Sequence, residues 1–139
     1  MQRTLILLKP DAVEKKICGK VISRFEDAGL TIRGCKMIQL SSDILRDHYA
    51  HIADKPFYPE VETFMSSKPV IAMVLEGDNV IDKIRDMLGV TNSKEAAPGT
   101  IRNEHGEDMM INVAHASDGL EAAEKEVARF FSEDELYDY

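Results

Sequence analysis

One stretch, residues 112–119 with the sequence Asn-Val-Ala-His-Ala-Ser-Asp-Gly, constrains the fold of this chain more than any other. A short apolar run ends there in His115, and residues 117–119 then open an amphipathic helix. Asp118, followed three positions later by Glu121, has the spacing of a capping box. A histidine at the end of a buried strand, beside the free N–H groups of a helix start, can meet an anion such as phosphate. The alternative is a histidine that only fills a polar position at the core edge.

Glu126 lies on the edge of the apolar stripe of the same helix, three residues after Ala123 and four before Phe130. From that edge its carboxylate can point back toward the helix start and orient Ser117 or the imidazole of His115. A solvated surface carboxylate is the alternative.

The apolar patterns predict strands that alternate with helices. Strands are predicted at residues 4–8, 31–40, 70–75 and 111–114. The third is apolar throughout, which favours the centre of the sheet. Helices are predicted at 19–28, from Ser42 or Asp43 to Ile52, at 56–65, from Asn79 to Leu88 and from Asp118 to near Phe131. This order, with helices on one face, indicates an α/β (α+β) class: a ferredoxin-like split βαβ fold with a four-stranded antiparallel sheet and added helices.

Size and composition are those of an ordinary domain, so residues 1–139 are predicted to form a single one, with 44% hydrophobic residues. The longest apolar runs, 5–8 and 70–75, are too short to span a bilayer. No basic start leads into an apolar signal core, and we therefore expect a cytoplasmic protein without membrane contact. Cys18 and Cys35 have neither metal-ligand spacing nor the density of a disulfide scaffold, which favours reduced thiols.

The formal net charge of −8 argues against nucleic-acid binding, because phosphate backbones need clustered Lys and Arg. An anionic ligand would therefore need cations gathered at one place. The candidates are Lys9 directly after the first strand, Arg85 on the polar side of a helix, and Arg102. Arg102 and Thr91 lie in the aperiodic stretch 89–108, and loops of that length are uncommon unless they bind something or are disordered. Taken alone, each of these cations is explained as a solvated surface residue.

Phosphoryl transfer requires mainly positioning, together with cations or Mg²⁺ around the phosphate oxygens. Guanidinium groups suit this task, because they offer planar, paired donors and stay charged. A phosphorylated imidazole keeps a high transfer potential, whereas a serine phosphate ester would be a thermodynamic sink. Covalent catalysis through histidine therefore allows a reversible two-step exchange with ping-pong kinetics.

These residues resemble the nucleoside diphosphate kinase family, whose signature is Asn-x-x-His-(Gly or Ala)-Ser-Asp. The signature is met by Asn112, His115, Ala116, Ser117 and Asp118. Further matching segments, in the order of the family, are 9–13, 55–57, 85–89, 91–92 and 98–102, so the resemblance covers essentially the whole chain. Departures from the usual pattern are Ala116, Ser93, Lys68 and residues 103–105.

The resemblance implies a phosphotransferase that moves the γ-phosphate of a nucleoside triphosphate, typically ATP, onto a nucleoside diphosphate. His115 would be the phosphorylated nucleophile, and Ser117 and Glu126 would support it. Lys9 would lie near the transferred phosphate and, with Asn112, would hydrogen-bond the sugar hydroxyls. The remaining implied contacts are Tyr49, Arg85, Thr91 and Arg102 to the phosphates and Phe57 to the base.

The resemblance also implies that Mg²⁺ arrives with the nucleotide and bridges phosphate oxygens, without a separate set of protein ligands. Stacking on Phe57 requires only a π-face, so every base would be accepted. As alternatives, Phe57 could belong to a core stripe with Val61 and Phe64, and the hydroxyl of Tyr49 could simply be exposed. His48, His51 and His105 match no functional position, and no metal site is predicted for them.

The family forms dimers grouped into tetramers or hexamers, and we expect a homo-oligomer here. The strand at 31–40 is expected to leave an open edge that a second subunit could cover. Two other function classes stay open on the residues themselves. One is a nucleotide-binding or regulatory module, and the other is a metal-dependent hydrolase that uses His115 and Asp118.

Overall fold

The computed structural model describes all residues, 1–139, and contains four strands and seven helices. The strands are β1 (Gln2–Leu8), β2 (Thr31–Ile38), β3 (Val70–Gly77) and β4 (Ala114–Ala116). The helices are α1 (Pro10–Lys15), α2 (Cys18–Asp27), α3 (Ser42–His48), α4 (Tyr58–Met65), α5 (Val80–Leu88), α6 (Ile101–His105) and α7 (Leu120–Phe130). Short 3₁₀ turns lie at Ser93–Glu95 and Glu133–Glu135. None of the helices is both long and apolar enough to pass through a membrane.

The four strands form one antiparallel sheet in the order β2-β3-β1-β4. The first strand lies between β3 and β4, and the register places Leu7 opposite His115. The predicted ferredoxin-like fold and the central position of the third predicted strand are both confirmed. His115 is therefore paired directly with β1, whose residues Leu5 to Leu8 are fully buried.

Helices cover both faces of the sheet, so the prediction that they lie on one face is wrong. Leu5 and Leu7 of β1 point into a core shared with α3, α4 and α7. Their neighbours Ile6 and Leu8 point into a second core shared with α2 and α5. Because β1 is apolar at successive positions, both of its faces must be covered.

The fourth strand begins later than predicted, and His115 lies within it rather than after it. The carboxylate of Asp108 accepts hydrogen bonds from the backbone N–H groups of residues 110 and 111, at 2.9 and 2.7 Å, and holds them in a turn. Val113 then has a φ of 76°, in the left-handed region, which cannot continue a strand. Extended pairing with β1 therefore starts only at Ala114.

Three helix starts also differ from the predictions. Gly119 rather than Asp118 is the N-cap residue of α7, and no side chain caps that helix, so the expected capping box is absent. Ser41 caps α3 by accepting a hydrogen bond from the backbone N–H of Ile44 at 3.2 Å. Phe57 is the N-cap residue of α4 and lies outside that helix. The stretch 89–108 is not a plain loop, because it contains α6 and a 3₁₀ turn.

Candidate active site

His115 is held by a row of hydrogen bonds that joins β4 to α7. Its Nε2 lies 2.7 Å from Oε1 of Glu126, and the hydroxyl of Ser117 donates to the same oxygen at 2.8 Å. Ser117 is fully buried, and its oxygen also accepts a hydrogen bond from the backbone N–H of Leu5 at 3.3 Å. The structure therefore brings three predicted residues, His115, Ser117 and Glu126, into direct contact.

The charge of Glu126 decides which nitrogen of His115 carries the proton. Burial raises the pKa of this carboxyl, but the hydrogen bonds from His115 and Ser117 outweigh burial, and the pKa lies below its ordinary value. An ionised carboxylate only accepts hydrogen bonds, so Nε2 of the imidazole carries the hydrogen. The other nitrogen, Nδ1, keeps its lone pair and has no hydrogen-bond partner in the protein.

Lys9 follows β1 directly and is buried beside the turn that precedes β4. Its ammonium group donates to the backbone oxygen of Met110 at 2.6 Å and to Oδ1 of Asn112 at 2.8 Å. The amide nitrogen of Asn112 donates to the backbone oxygens of Thr91 and Met109, both at 3.0 Å. Burial lowers the pKa of Lys9 to about 8. The amine and the amide are thus fixed together before any ligand is bound.

Arg102 is a buried residue of α6 and not a solvated loop residue. Its Nε donates to the backbone oxygen of Asn112 at 3.2 Å, Nη1 to that of Gly89 at 3.0 Å, and Nη2 to that of Ala114 at 2.7 Å. Burial, followed by the nearby charge of Arg85, lowers the pKa of Arg102 to about 10. The guanidinium therefore ties the segment around His115 to α5 and α6 while it stays cationic at neutral pH.

Three predicted cations lack a carboxylate partner, although the chain has 25 acidic and 17 basic residues. None of the ion pairs in the molecule involves Lys9, Arg85 or Arg102. Arg85 is exposed on α5, whereas the other two are buried. Buried cations are normally paired, so an unpaired group of them beside a histidine indicates a binding site for an anion.

The cations and the histidine face one cavity of about 320 Å³. Its lining includes Lys9, Arg85, Thr91, Arg102, Asn112 and His115. A more open cleft of about 690 Å³ shares Lys9, Tyr49, Thr91 and Met109 with that cavity and continues to Phe57. We call the first the phosphate pocket and the second the base cleft. Together they bring all the predicted contact residues to one groove.

The two aromatic residues of the predicted site lie in different surroundings. Phe57 is 48% exposed in the base cleft, so it is not part of the core stripe considered as an alternative. Tyr49, at the end of α3, is half-buried and lines both the pocket and the cleft. Burial, followed by the charge of Glu126, raises the pKa of Tyr49 to about 12. Its hydroxyl therefore remains a hydrogen-bond donor throughout the neutral pH range.

Asp11 is a site residue that the sequence reasoning did not single out. It is buried, and its Oδ2 accepts a hydrogen bond from the backbone N–H of Val113 at 3.0 Å. The backbone oxygen of Val113 accepts one from the N–H of Lys9 at 2.9 Å. A left-handed β-branched residue costs on the order of 1–3 kcal/mol, so these bonds hold a strained backbone next to His115. The available signal was the position of Asp11 just inside a helix that begins with Pro10.

His48 is the second residue that was missed. It is buried, and its ring meets that of His115 edge to face, with centroids 4.6 Å apart and planes at 83°. One nitrogen or oxygen from each of His48, His115 and Glu126 lies within 4.8 Å of the others, a spacing that could hold a metal ion. Nδ1 of His48, however, lies 3.1 Å from the cationic Nη1 of Arg129. The hydrogen bonds of His48 and Glu126 thus account for this cluster.

The donor set of the phosphate pocket fits a Mg²⁺ ion that arrives with a nucleotide. Mg²⁺ prefers oxygen ligands, and most of the polar side chains that line this pocket offer nitrogen. Of its two carboxylates, Glu126 is occupied by His115 and Ser117, and Asp118 is exposed. These residues fit an ion that is held mainly by phosphate oxygens, with Asp118 as the free carboxylate beside it.

A four-stranded antiparallel sheet with helices on both faces, and a histidine in a cationic pocket, define a phosphate-handling α/β protein. The family model for nucleoside diphosphate kinase matches residues 2–136. The nucleoside diphosphate kinase of Rhodopirellula baltica is 48% identical over 139 residues, which cover 100% of this chain and 91% of that protein. The Bacillus cereus enzyme is 45% identical, with coverage of 100% and 94%.

Solved structures agree with the sequence relatives. A halophilic nucleoside diphosphate kinase from Halobacterium salinarum, in complex with CDP, is 39% identical with a TM-score of 0.96, covering 99% of this chain and 92% of that one. The Aquifex aeolicus enzyme is 41% identical with a TM-score of 0.94 and coverage of 98% and 99%. The chain belongs to the nucleoside diphosphate kinase family, and it is an enzyme, a phosphotransferase.

Proposed function

We propose that this enzyme transfers the γ-phosphate of a nucleoside triphosphate, typically ATP, to a nucleoside diphosphate through a phosphohistidine on His115. The observation that carries the proposal is that His115 lines a pocket of unpaired cations with its Nδ1 free of protein partners, while Glu126 holds Nε2 and Ser117 holds Glu126. Membership of the family supports phosphate transfer between nucleotides, and the geometry of His115 supports a covalent phosphohistidine intermediate.

In the first half-reaction, the lone pair on Nδ1 of His115 attacks the γ-phosphorus. The N–P bond forms while the bond to the bridging oxygen breaks, and the nucleoside diphosphate leaves with that oxygen. The ring becomes cationic as it is phosphorylated. Because Glu126 accepts the hydrogen on Nε2 at 2.7 Å, its negative charge stabilises the ring most when the ring is positive. Ser117 fixes the carboxylate through the same oxygen.

The cations of the phosphate pocket offset the charge of the phosphate chain. Arg85, Arg102 and the hydroxyl groups of Tyr49 and Thr91 would hold phosphate oxygens. Lys9 and Asn112, already joined at 2.8 Å, would contact the sugar hydroxyls through the remaining N–H of the ammonium and the second lone pair of Oδ1, since both amide hydrogens of Asn112 are already donated. The ammonium would also lie near the transferred group. Lys9, Arg102 and Asn112 are buried and hydrogen-bonded before substrate arrives, so they need little reorganisation during transfer.

Mg²⁺ bound to the incoming nucleotide would supply further positive charge to the phosphate oxygens. In the second half-reaction an acceptor diphosphate uses the same contacts, and its terminal oxygen takes the phosphoryl group from Nδ1. The exposed ring of Phe57 would stack on either nucleotide and would need only its π-face, so neither half-reaction requires a particular base. The solved relative from Halobacterium salinarum was crystallised with CDP, which supports a diphosphate in this groove.

A homo-oligomer of dimers, tetrameric or hexameric, remains our proposal for assembly. β2 lies at one end of the sheet, as expected for an edge that a second subunit could cover. Part of this edge is already used, since the backbone oxygen of Arg33 accepts a hydrogen bond from the N–H of Tyr137 at 2.9 Å. Light scattering measures the assembly directly, and a monomer at micromolar concentration would contradict it. The single domain and the cytoplasmic location stay predictions from the sequence.

Initial-rate kinetics test the proposed route. Double-reciprocal plots with ATP and a second diphosphate should give parallel lines, because one product leaves before the other substrate binds. Intersecting lines would show that both nucleotides are bound at once and would contradict the phosphohistidine route. If the protein binds nucleotides but transfers no phosphate between them, the alternative function, a nucleotide-binding or regulatory module, would be favoured.

A further inference from the structure

Arg129 of α7 is fixed at both ends of its guanidinium group. Its Nε donates to Oδ2 of Asp47 at 2.7 Å, and its Nη1 lies 3.1 Å from Nδ1 of His48. The side chain is only 19% exposed. A guanidinium has donors and no acceptor, so Nδ1 of His48 must accept this hydrogen bond. A neutral His48 then carries its one hydrogen on Nε2.

The same helix therefore fixes two imidazoles. Glu126 and Arg129 are three residues apart on α7, so they lie on neighbouring positions of one helix face. The carboxylate engages Nε2 of His115, and the guanidinium engages Nδ1 of His48. The two rings then meet edge to face, with centroids 4.6 Å apart. On another side His48 packs against Phe130 at 5.2 Å, so it has little freedom to move away.

We propose that Arg129 and His48 act as a positioning pair: Arg129 keeps His48 in the tautomer with hydrogen on Nε2, and this fixed, uncharged ring orients His115 for phosphorylation. The inference rests on the proposed function of His115. Neither residue is proposed to touch the transferred phosphate. A 1 Å misplacement of a nucleophile can slow a reaction by on the order of a hundredfold, so a rigid neighbour has a kinetic effect.

The surroundings of His48 keep it uncharged. Burial, together with the charges of His115 and Arg129 and against that of Glu126, lowers the pKa of His48 to about 3. The titratable or charged groups that face or adjoin His48 are Asp47, Tyr49, His51, His115, Glu126 and Arg129. A cationic His48 would compete for Glu126 and would attract the phosphoryl group on His115. Either effect would change the balance between the two half-reactions.

The protonation of His48 can be measured without any nucleotide, by long-range ¹⁵N–¹H NMR of the imidazole groups. We expect Nε2 to be protonated and Nδ1 to be unprotonated between about pH 5 and about pH 9 in the intact enzyme. In Arg129→Met, which keeps the aliphatic stem, His48 should become a mixture of tautomers and should titrate at higher pH. Hydrogen on Nδ1 in the intact enzyme would overturn the proposal.

Single-turnover phosphorylation by ATP tests the positioning role. Arg129→Met should form the phosphoenzyme about tenfold more slowly, with nucleotide affinity changed less than about twofold. Arg129→Lys, which keeps a donor, should recover most of the rate. The matched control is Lys125→Met on the same helix, where Lys125 pairs only with exposed Glu121, and it should behave as the intact enzyme. A loss in affinity with an unchanged rate would overturn the proposal.

If Arg129→Met melts at a much lower temperature, its slower phosphorylation could come from partial unfolding, and a second variant then tests the proposal. Asp47→Asn removes the anchor of the guanidinium but leaves the arginine in place, and it should slow phosphorylation about threefold. An unchanged rate in Asp47→Asn together with an unchanged tautomer of His48 would overturn the proposal. If the intact enzyme shows the expected tautomer but never forms a phosphoenzyme, the proposed function has failed rather than the geometry of the pair.

Discussion

The two ends of the groove are built on different principles. At the phosphate pocket, buried or half-buried side chains are joined by hydrogen bonds: His115 to Glu126, and Lys9 to Asn112. In the base cleft, Phe57 is 48% and Met109 is 64% exposed, and neither ring nor thioether is held by a polar contact. The phosphate pocket holds its side chains in place by hydrogen bonds, whereas the base cleft offers an exposed apolar surface.

This difference follows from what each end must recognise. The phosphate chain and sugar are common to all nucleoside diphosphates. Rigid contacts to these groups therefore do not restrict which nucleotide the enzyme accepts. The base differs between substrates, and a hydrogen-bonding site for one base would leave polar groups unpaired with another. An exposed ring that stacks on any base avoids that penalty. The comparison predicts large losses from changes at the pocket and small losses from changes at the cleft.

The largest effect is expected for His115→Ala. Loss of Nδ1 removes the covalent route, so nucleotide exchange should fall by at least about 10⁴-fold. The melting temperature should change little, since the imidazole is not part of either core cluster. A coupled assay with ATP and GDP measures the rate. Exchange close to that of the unaltered enzyme would remove His115 from the mechanism.

Arg102→Met should have the next largest effect. Loss of a charge-assisted contact to phosphate costs roughly 1.5–3 kcal/mol, or about 10- to 150-fold in kcat/KM. Three hydrogen bonds to backbone oxygens are also lost, so the free energy of unfolding should fall by about 2–4 kcal/mol. Denaturant titration and steady-state kinetics separate the two effects. Arg24→Met, at a more exposed arginine paired with Glu104, is the control and should alter kcat/KM less than twofold.

Glu126→Gln should be less severe, because the amide can still contact the ring but carries no charge. We expect kcat to fall by about tenfold with little change in KM, since the carboxylate stabilises the ring chiefly when the ring is cationic. Stopped-flow measurement of phosphoenzyme formation provides the rate. A rise in KM at constant kcat would instead place Glu126 in ground-state binding.

The pH dependence of nucleotide binding should report on Lys9. Burial lowers its pKa to about 8, so the amine is charged below that pH and becomes neutral as the pH rises through it. KM should therefore be lowest below about pH 8 and should rise above it, by at most about tenfold per pH unit. Lys9→Gln should remove this rise. A KM that is flat from about pH 7 to about pH 10 in the unaltered enzyme would contradict the assignment.

The smallest effect is expected for Phe57→Leu in the base cleft. Stacking on a base contributes on the order of 1 kcal/mol at an exposed ring, so KM should rise about fivefold. The rise should be similar for purine and pyrimidine diphosphates, and kcat should stay nearly constant. A rise confined to one base would show that the cleft selects bases by more than stacking.

Local sequence patterns predicted the fold, and they also predicted that Ser117 and Glu126 can reach His115. The strand that ends at the signature, the apolar β3 and the helix that carries Glu126 are all encoded by neighbours along the chain. Several features could not be predicted, because they depend on contacts between distant segments. Examples are the backbone oxygens that hold Arg102 and the meeting of His48 with His115. The expected Asp118 cap was wrong because Gly119 adopts the extended conformation at that position.

The central claim is that one imidazole stores the phosphoryl group between two nucleotides, and mass spectrometry tests it most directly. After brief mixing with excess ATP, the intact protein should gain about 80 Da, and the added mass should map to His115 and disappear in acid. Addition of a nucleoside diphosphate should discharge it. A protein that exchanges phosphate at full rate without this adduct, or that carries it on another residue, would contradict the account.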